Sequence, residues 1–366
     1  MDPEDELQEM DTEEPFTVKI EERKFIGQSY DLSIQTLHEQ WNSGMLIIPE
    51  YQRGFIWDVG KASRLIESLI LNIPIPPIYM AELDDGRSEI VDGHQRVRAI
   101  VNFLSNTTKL SGLWLLTEYN GLTLDKLPLR EQRILRMRIM RTVIISADSH
   151  PNMKFEIFER LNTGSIMLNA QELRNALYRG SFNNKLRQLI HNELFRRLLG
   201  RKSPHKRMAE EELILRFFAL KDNYSSYKAP LKRFLNEYMD SNKNADVAFL
   251  EDLQSSFIRT LTAVNSVFGA AAFRVTDTQG HPTERALNRA LYDAQMLAFS
   301  WLDEQDLQPN IPRLYIELAT MYEKRDFQES IGRATNDPSR LRLRVREIVR
   351  ALQRAGYTLS VPFDID

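Results

Sequence analysis

Hydrophobic and polar positions follow two different spacings along this chain. In the first half, short apolar runs at 78–83 and 87–91 flank Asp84-Asp85-Gly86, a sequence typical of a hairpin turn. Residues 61–71 place apolar side chains three and four apart, which predicts an amphipathic helix. From about residue 169 the helical spacing continues almost to the C-terminus. The pattern therefore predicts an α+β protein, with strands and helices first and an all-helical domain after them.

Further elements are predicted on either side of the hairpin. Residues 16–25 alternate and predict a strand, and residues 138–146 predict another. Ser33 is a suitable N-cap for a helix that ends near Gly44. The segment 151–161 begins with proline and predicts a helix. These elements complete the expected sheet-containing region.

The stretch from Ile90 to Ile100 carries the strongest candidate chemistry. It predicts a buried strand that ends at Asp92, a turn at Gly93, and a helix with Arg96 in its first turn. A helix N-terminus attracts anions, and an arginine there can donate two hydrogen bonds to a phosphate. The alternative is an ordinary strand-to-helix turn with a surface arginine, and spacing alone leaves both open.

A second candidate is the loop that follows the apolar residues 45–48. Tyr51, Gln52, Arg53 and Trp57 combine stacking, amide and cationic groups, a mixture that suits a nucleotide or a DNA backbone. The alternative is that the aromatic side chains fill the core.

Composition excludes several classes of function. The chain has no cysteine, so disulfides, thiolate metal sites and thiol catalysis are excluded. There is no glycine-rich nucleotide loop with Lys-Ser or Lys-Thr, no serine nucleophile elbow and no histidine pair at metal-binding spacing. No apolar run reaches membrane length, and the acidic first 16 residues do not resemble a signal peptide, so we expect a cytoplasmic protein.

Charge is distributed unevenly. Residues 1–16 hold eight acidic residues and no basic one, and without them the net charge of -3 becomes +5. We expect an acidic, disordered tail, although a tail that competes with an anionic ligand is an alternative. Arginines are concentrated near the C-terminus, where Arg342, Arg346 and Arg350 are four apart and predict a surface for DNA or an acidic partner.

Several of these motifs together resemble one family. Pro49-x-Tyr51-Gln52-Arg53, Ile73-Pro74-Ile75-Pro76 and Asp92-Gly93-His94-Gln95-Arg96 resemble the N-terminal domain of GmrSD type IV restriction systems. The usual family motif is Asp-Gly-Gln-Gln-Arg, and His94 replaces its first glutamine here. The segments 158–164 and 168–174 resemble the second signature of the family, and weaker similarity continues at 206–216 and 288–293.

The resemblance implies a ParB/sulfiredoxin-like fold, a small mixed sheet with helices. We therefore expect a tail at 1–16, a ParB-like nucleotide-binding domain at 17–165 and a helical domain at 166–366. Gly93-x-x-Arg96-x-x-Ala99 is similar to the phosphate-binding pattern of ParB proteins, which bind CTP. The resemblance implies that an NTP with Mg²⁺ binds at Gly93, His94, Gln95 and Arg96, with Asn162 and Thr163 reaching the sugar or phosphate. Asp92 and Arg96 would be catalytic, and Asp92 would meet the nucleotide-bound Mg²⁺.

The implied function is a nucleotide-dependent sensor or regulatory subunit of a defence system against foreign or modified DNA. In GmrSD-like enzymes a separate His-Asn-His domain cuts DNA, and no such motif is found here, so we expect a partner chain to be the nuclease. Glu89 is three residues before Asp92, so in a regular strand the two carboxylates face opposite sides and make a poor nuclease centre. A non-enzymatic DNA-binding regulator and a nuclease acting alone are the alternatives, and the oligomeric state, a homo-oligomer included, is open.

Overall fold

The computed structural model describes residues 18–49, 57–161, 168–201, 203–204, 207–303 and 310–362. The chain divides into two compact units, which we call the sheet unit (18–168) and the helical unit (from residue 169 on). The predicted α+β class is confirmed, because a five-stranded sheet with helices precedes a helical region. The acidic segment 1–16 lies outside the described residues, and its disorder stays a prediction.

Strands and α-helices are interspersed along the sheet unit. Its strands are β1 (Gly27–Ser33), β2 (Leu46–Ile47), β3 (Ile78–Glu82), β4 (Ser88–Asp92) and β5 (Ile139–Ile145). Its helices are α1 (Ile34–Asn42), α2 (Val59–Ile70), α3 (His94–Leu104), α4 (Leu129–Met137) and α5 (Pro151–Leu161). The strand order is β1-β5-β3-β4-β2, with β1/β5 and β3/β4 antiparallel and β5/β3 and β4/β2 parallel. The mixed sheet implied by the resemblance is therefore present.

One face of this sheet forms the core with α1 to α4. Ile78, Met80 and Ile90 are at most 1% exposed and belong to the same buried cluster as apolar residues of these helices. Each large aliphatic side chain buried in this way contributes roughly 1.5–3 kcal/mol. Helix α5 packs near β4 and buries Phe155 and Phe158. The strand–turn–helix segment at Asp92 and Gly93 is thus held in a packed region.

The first predicted strand is wrong. Residues Ile20–Glu22 form a 3₁₀ turn, and β1 begins only at Gly27. Residues 21–24 are four consecutive charged residues, so they cannot place alternate side chains against a core. The true strand lies at the sheet edge with its first five residues exposed, which is why its sequence shows little apolar alternation. The predicted cap of the next helix is confirmed, because Thr36 N donates to Ser33 Oγ at 3.0 Å.

Ten helices form the described part of the helical unit. They are α6 (Ala170–Leu177), α7 (Ser181–Leu189), α8 (Glu193–Leu199), α9 (Ala209–Asn223), α10 (Leu231–Asn242), α11 (Val247–Phe268), α12 (Arg289–Ser300), α13 (Ile311–Tyr322), α14 (Arg325–Gly332) and α15 (Pro338–Arg354). Helices α9 and α12 run through its centre, since 10 of the 15 residues of α9 and 11 of the 12 residues of α12 are buried. None of the helices in the described ranges is both long and apolar enough to cross a membrane.

Candidate functional site

The turn between β4 and α3 is built around Gly93. Its backbone is left-handed, with φ 99° and ψ 10°, a conformation that favours glycine. A Cβ at this position would lie 3.2 Å from Ile78 Cγ1 and 3.1 Å from Arg96 Nη2, so the space is also tight. The Gly93 carbonyl accepts the first hydrogen bond of α3 from Val97 N at 3.0 Å. The N–H groups of the next residues lack partners within the helix, as at any helix start, and can receive an anion.

Arg96 is engaged by the protein itself. Its Nη2 donates to Asp92 Oδ2 at 2.7 Å, and its Nη1 donates to the carbonyls of Pro76 and Pro77, the latter at 3.2 Å. Only 12% of its side chain is exposed, whereas Asp92 is 40% exposed. In this conformation the guanidinium therefore joins the proline segment to the turn. Its predicted role in phosphate binding and catalysis stays a prediction, as does that of Asp92.

The sequence analysis did not predict this link, although it singled out both the proline segment and Arg96. Prolines have no N–H, so the segment 74–77 offers carbonyls without the matching donors and needs a donor from elsewhere. The Ile-Pro-Ile-Pro break and Arg96 belong to the same resemblance, which was the available signal.

Glu89 and Asp92 were expected to face opposite sides of the sheet. The structure places them on the same side. The register pairs Ala81 with Glu89, Met80 with Ile90 and Tyr79 with Asp92, with a shift between Tyr79 and Met80. A β-bulge inserts one residue into β4, so residues on opposite sides of it lose the strict alternation. Residues paired across two strands share a face, and Tyr79 and Ala81 are two apart, so Glu89 and Asp92 lie on one face. Glu89 is only 1% exposed.

His94 and Gln95 connect the turn to the start of α2. Gln95 Nε2 donates to His94 Nε2 at 2.8 Å, which makes that ring nitrogen an acceptor. Gln95 Oε1 accepts from Trp57 N at 3.3 Å. Burial, helped by the charge of Arg98, holds the pKa of His94 below its ordinary value, so the ring is neutral near pH 7. A neutral imidazole therefore takes the place of the first glutamine of the Asp-Gly-Gln-Gln-Arg motif, with Nε2 accepting from Gln95 and Nδ1–H left as a donor.

Trp57 is half-buried and packs against the core of the sheet unit. Its ring centre lies 4.8 Å from Lys61 Nζ. Trp57 therefore contributes to the core, as one interpretation expected, and it lies next to the Gly93 turn, while its contact with a nucleotide or DNA stays a prediction. The other predicted residues of that loop, Tyr51, Gln52 and Arg53, lie outside the described residues, and so do Asn162 and Thr163. Their nucleotide or DNA contacts stay predictions.

The second signature forms a structural network in the helical unit. Asn169 caps α6, where its Oδ1 accepts from Glu172 N at 2.8 Å while Glu172 Oε2 accepts from Asn169 N at 2.7 Å. The buried Arg174 donates to Asn236 Oδ1 at 2.9 Å and to Glu212 Oε2 at 3.0 Å. These contacts give Asn169, Glu172 and Arg174 a structural role in the helical unit.

A second buried ion pair continues this network. Arg216 and Asp293, each 2% exposed at the side chain, are joined by two hydrogen bonds of 3.0 and 2.5 Å. Glu212 lies 3.9 Å from Arg216 and also pairs with Arg174, so it links the two arginines. Such a pair is costly to break on one side only, because the remaining charge stays buried.

The arginines of α15 do not form a uniform basic surface. Arg344 is fully buried, donates to the carbonyls of Ser330 and Thr335, and has its pKa lowered to about 10 by burial. Arg350 lies 3.3 Å from Glu347 and is partly buried. Arg346 is also partly buried, which leaves Arg342 as the exposed member of the predicted trio. Their contact with DNA or a partner stays a prediction.

Metal ligands are sparse where the structure can be examined. Within the described ranges, no group of three or more His, Asp and Glu side chains is arranged to hold a metal ion. A Mg²⁺ at this turn would therefore need ligands from the phosphates of a nucleotide, as in many phosphoryl-transfer sites.

One family model matches the chain. Residues 34–179 match the N-terminal domain of the GmrSD restriction endonuclease. Neither the curated proteins nor the solved structures give a match. The match covers α1 to α6, which includes the Gly93 turn and the α6 cap.

Proposed function

Since residues 34–179 form a GmrSD-type N-terminal domain, we propose that the chain is a nucleotide-dependent sensor subunit of a restriction system acting on foreign or modified DNA. The observation that carries this proposal is the Gly93 turn, a left-handed glycine that starts a helix directly after Asp92. The turn lies inside the matched domain. The first N–H groups of α3 lie at the end of β4, and a helix start of this kind can bind an anion.

In this proposal the turn binds an NTP with Mg²⁺ mainly through the backbone. The amides that follow Gly93 receive phosphate oxygens, and His94 offers its neutral ring beside them. Asp92 is exposed enough to meet a hydrated Mg²⁺ while it stays paired with Arg96. Arg96 holds the turn in shape, and it reaches phosphate only if it leaves the proline carbonyls. Hydrolysis of the NTP would then be coupled to DNA recognition.

A specific observation favours a second candidate. The hydrogen bonds of Arg96 are made within the protein, so the turn can be a structural feature of a DNA-binding regulator that consumes no nucleotide. The charge of the helical unit fits this candidate. Residues 18–168 hold 18 basic and 18 acidic residues, whereas residues 169–366 hold 30 basic and 25 acidic ones. The positive excess of the body therefore belongs to the helical unit, where Arg342 and Arg346 are candidate phosphate contacts.

Calorimetric titration of the full chain with ATP, GTP and CTP in Mg²⁺ distinguishes the two candidates. The sensor proposal expects one nucleotide to bind, with weaker affinity for Asp92→Asn and unchanged affinity for Asp85→Asn, a control at the hairpin tip. Asparagine keeps the shape of the Asp92 side chain, so the fold should be retained. Absence of binding for every nucleotide, with and without DNA, would favour the regulator.

DNA cleavage is assigned to a separate nuclease chain. Because Glu89 and Asp92 share a face, the test needs variants of both. Plasmid DNA, modified and unmodified, is incubated with Mg²⁺ or Mn²⁺ and the purified chain. We expect no nicking. Nicking that is lost in both Asp92→Ala and Glu89→Gln would instead identify a nuclease acting alone.

A further inference from the structure

Two cations of α2 each lie over the ring of a tryptophan outside the helix. Lys61 Nζ lies 4.8 Å from the ring centre of Trp57, and Arg64 Cζ lies 4.9 Å from that of Trp114. Lys61 and Arg64 are three residues apart in the helix and so share a face. We call Trp57, Lys61, Arg64 and Trp114 the α2 track. Through the Trp57–Gln95 hydrogen bond it begins beside the Gly93 turn.

The far end of the α2 track is an exposed indole on a firmly held loop. Trp114 is 75% exposed and the adjacent Leu115 is 66% exposed. The N–H groups of residues 114, 115 and 116 all donate to the buried carboxylate of Glu67, at 3.0, 2.7 and 2.8 Å. Ser111 N also donates to Ser63 Oγ at 2.9 Å. The loop is therefore preorganised while its largest side chain lies in solvent, which lowers the ordering cost of binding.

The two carboxylates nearest these cations both accept hydrogen bonds from backbone N–H groups. Asp58 Oδ1 caps α2 by accepting from Lys61 N at 2.7 Å, and Glu67 is occupied by the loop amides. Within the described ranges, neither Lys61 nor Arg64 forms a side-chain ion pair. The charge of Arg64 also acts on Glu67, without a direct ion pair. Two cations beside two indole rings complement a chain of phosphates and bases.

We propose that the α2 track binds a single-stranded stretch of nucleic acid, with Trp114 stacking on a base and Lys61 and Arg64 contacting phosphates. Lys61 and Arg64 are about 4.5 Å apart along the helix axis, close to one nucleotide step of about 3.4 Å, so they can contact neighbouring phosphates. A partner protein that buried Trp114 and Leu115 in an apolar pocket would not need a cation beside each tryptophan. The inference rests on the proposed action on DNA, but it does not require nucleotide binding at Gly93.

Fluorescence anisotropy with the full chain tests this surface. The probe is labelled single-stranded oligothymidine of about 16 nucleotides, the upper end of common site sizes, with a duplex of equal length for comparison. Trp114→Ala should weaken single-strand binding roughly 5- to 150-fold, and Trp114→Phe should retain most of the affinity, because phenylalanine still stacks. Lys61→Ala and Arg64→Ala should each reduce the salt slope by about 0.7.

Matched controls lie on the same unit. Leu129 is 69% exposed and the Arg130 side chain is 83% exposed, so alanine at either position tests nonspecific loss of apolar or basic surface. Both controls should bind like the wild type. If Trp114→Ala, Lys61→Ala and Arg64→Ala all bind DNA as tightly as the wild type, the α2 track is not the binding surface. The proposed action on DNA would still stand. A wild type that binds neither form of DNA would contradict both.

Discussion

Replacing Arg96 by alanine separates a structural role of this side chain from a role in phosphate binding. The change removes the hydrogen bonds to Asp92, Pro76 and Pro77 from a side chain that is 12% exposed. Hydrogen bonds to charged groups contribute roughly 1.5–3 kcal/mol each when partly buried. Asp92 is 40% exposed and Pro76 is exposed, so water can replace some of the hydrogen bonds that Arg96 donated. We therefore expect a net cost of about 2–4 kcal/mol.

For a unit of this size, each kcal/mol lowers the Tm by roughly 2–4 °C, so Arg96→Ala should lower it by about 4–16 °C. Arg96→Lys keeps the charge but has no planar guanidinium to bridge a carboxylate and two carbonyls. Its Tm should therefore lie between those of Arg96→Ala and the wild type. Thermal unfolding by circular dichroism is measured beside nucleotide titration of the same samples. Arg87→Ala is the matched control, because Arg87 pairs with Asp85 on the surface at 2.6 Å, and its Tm should equal that of the wild type. An Arg96→Ala protein that melts with the wild type but no longer binds nucleotide would refute the structural role.

Further predictions concern buried charges and the basic helix. Glu67→Gln should cost about 1–3 kcal/mol at pH 7, because it weakens the charge-assisted bonds to three loop amides. Burial raises the pKa of Glu67, but the N–H groups of Leu116, Leu115 and Trp114 outweigh it and lower the pKa overall. This stability is therefore present above the ordinary pKa of about 4.3 and lost as pH falls through the lower folded value, so urea unfolding of Glu67→Gln should depend less on pH there. His94→Gln restores the usual family residue. Because burial and Arg98 lower the pKa of His94, the wild type should lose stability as pH falls below about 6.5, and the variant should lack that loss when Tm is measured against pH. Asp293→Ala should destabilise by about 3–5 kcal/mol in denaturant unfolding, and Asp293→Ala with Arg216→Met should cost less than the single change, because the Arg216 charge is not left buried without Asp293 while Glu212 keeps its pair with Arg174. Arg342→Gln with Arg346→Gln should reduce the salt slope of duplex binding by about 1.8 if both arginines contact phosphate, and an unchanged slope would show that this face is merely solvated.

The position of the candidate turn was predictable because its signals are local. Gly93 follows an apolar strand and precedes a run with helical spacing, and these patterns depend on residues two to four apart. The early strand at 16–25 was wrong for the same reason, because alternation in sequence does not show whether a sheet neighbour exists. β1 pairs with β5, more than 100 residues later in the chain.

The directions of the charged side chains were not predictable. The bulge opposite Tyr79 places Glu89 on the face of Asp92, and a bulge is a property of two paired strands. Arg344 belongs to an arginine-rich run, yet its side chain is turned inward to the carbonyls of Ser330 and Thr335. Charge patterns alone predict a solvated face at such positions, because most charged side chains are exposed.

By itself the sequence determined the α+β class, the hairpin and the helices around it, the glycine turn after Asp92 and the resemblance to one restriction-system domain. The tertiary structure decided which groups those residues meet. Arg96 joins carbonyls 19 and 20 residues away, and Glu67 holds amides 47 to 49 residues away. Backbone periodicity is set by neighbours within one turn or one strand. The partner of a buried charge is set by the need to satisfy it wherever the fold brings a donor or acceptor within about 3 Å.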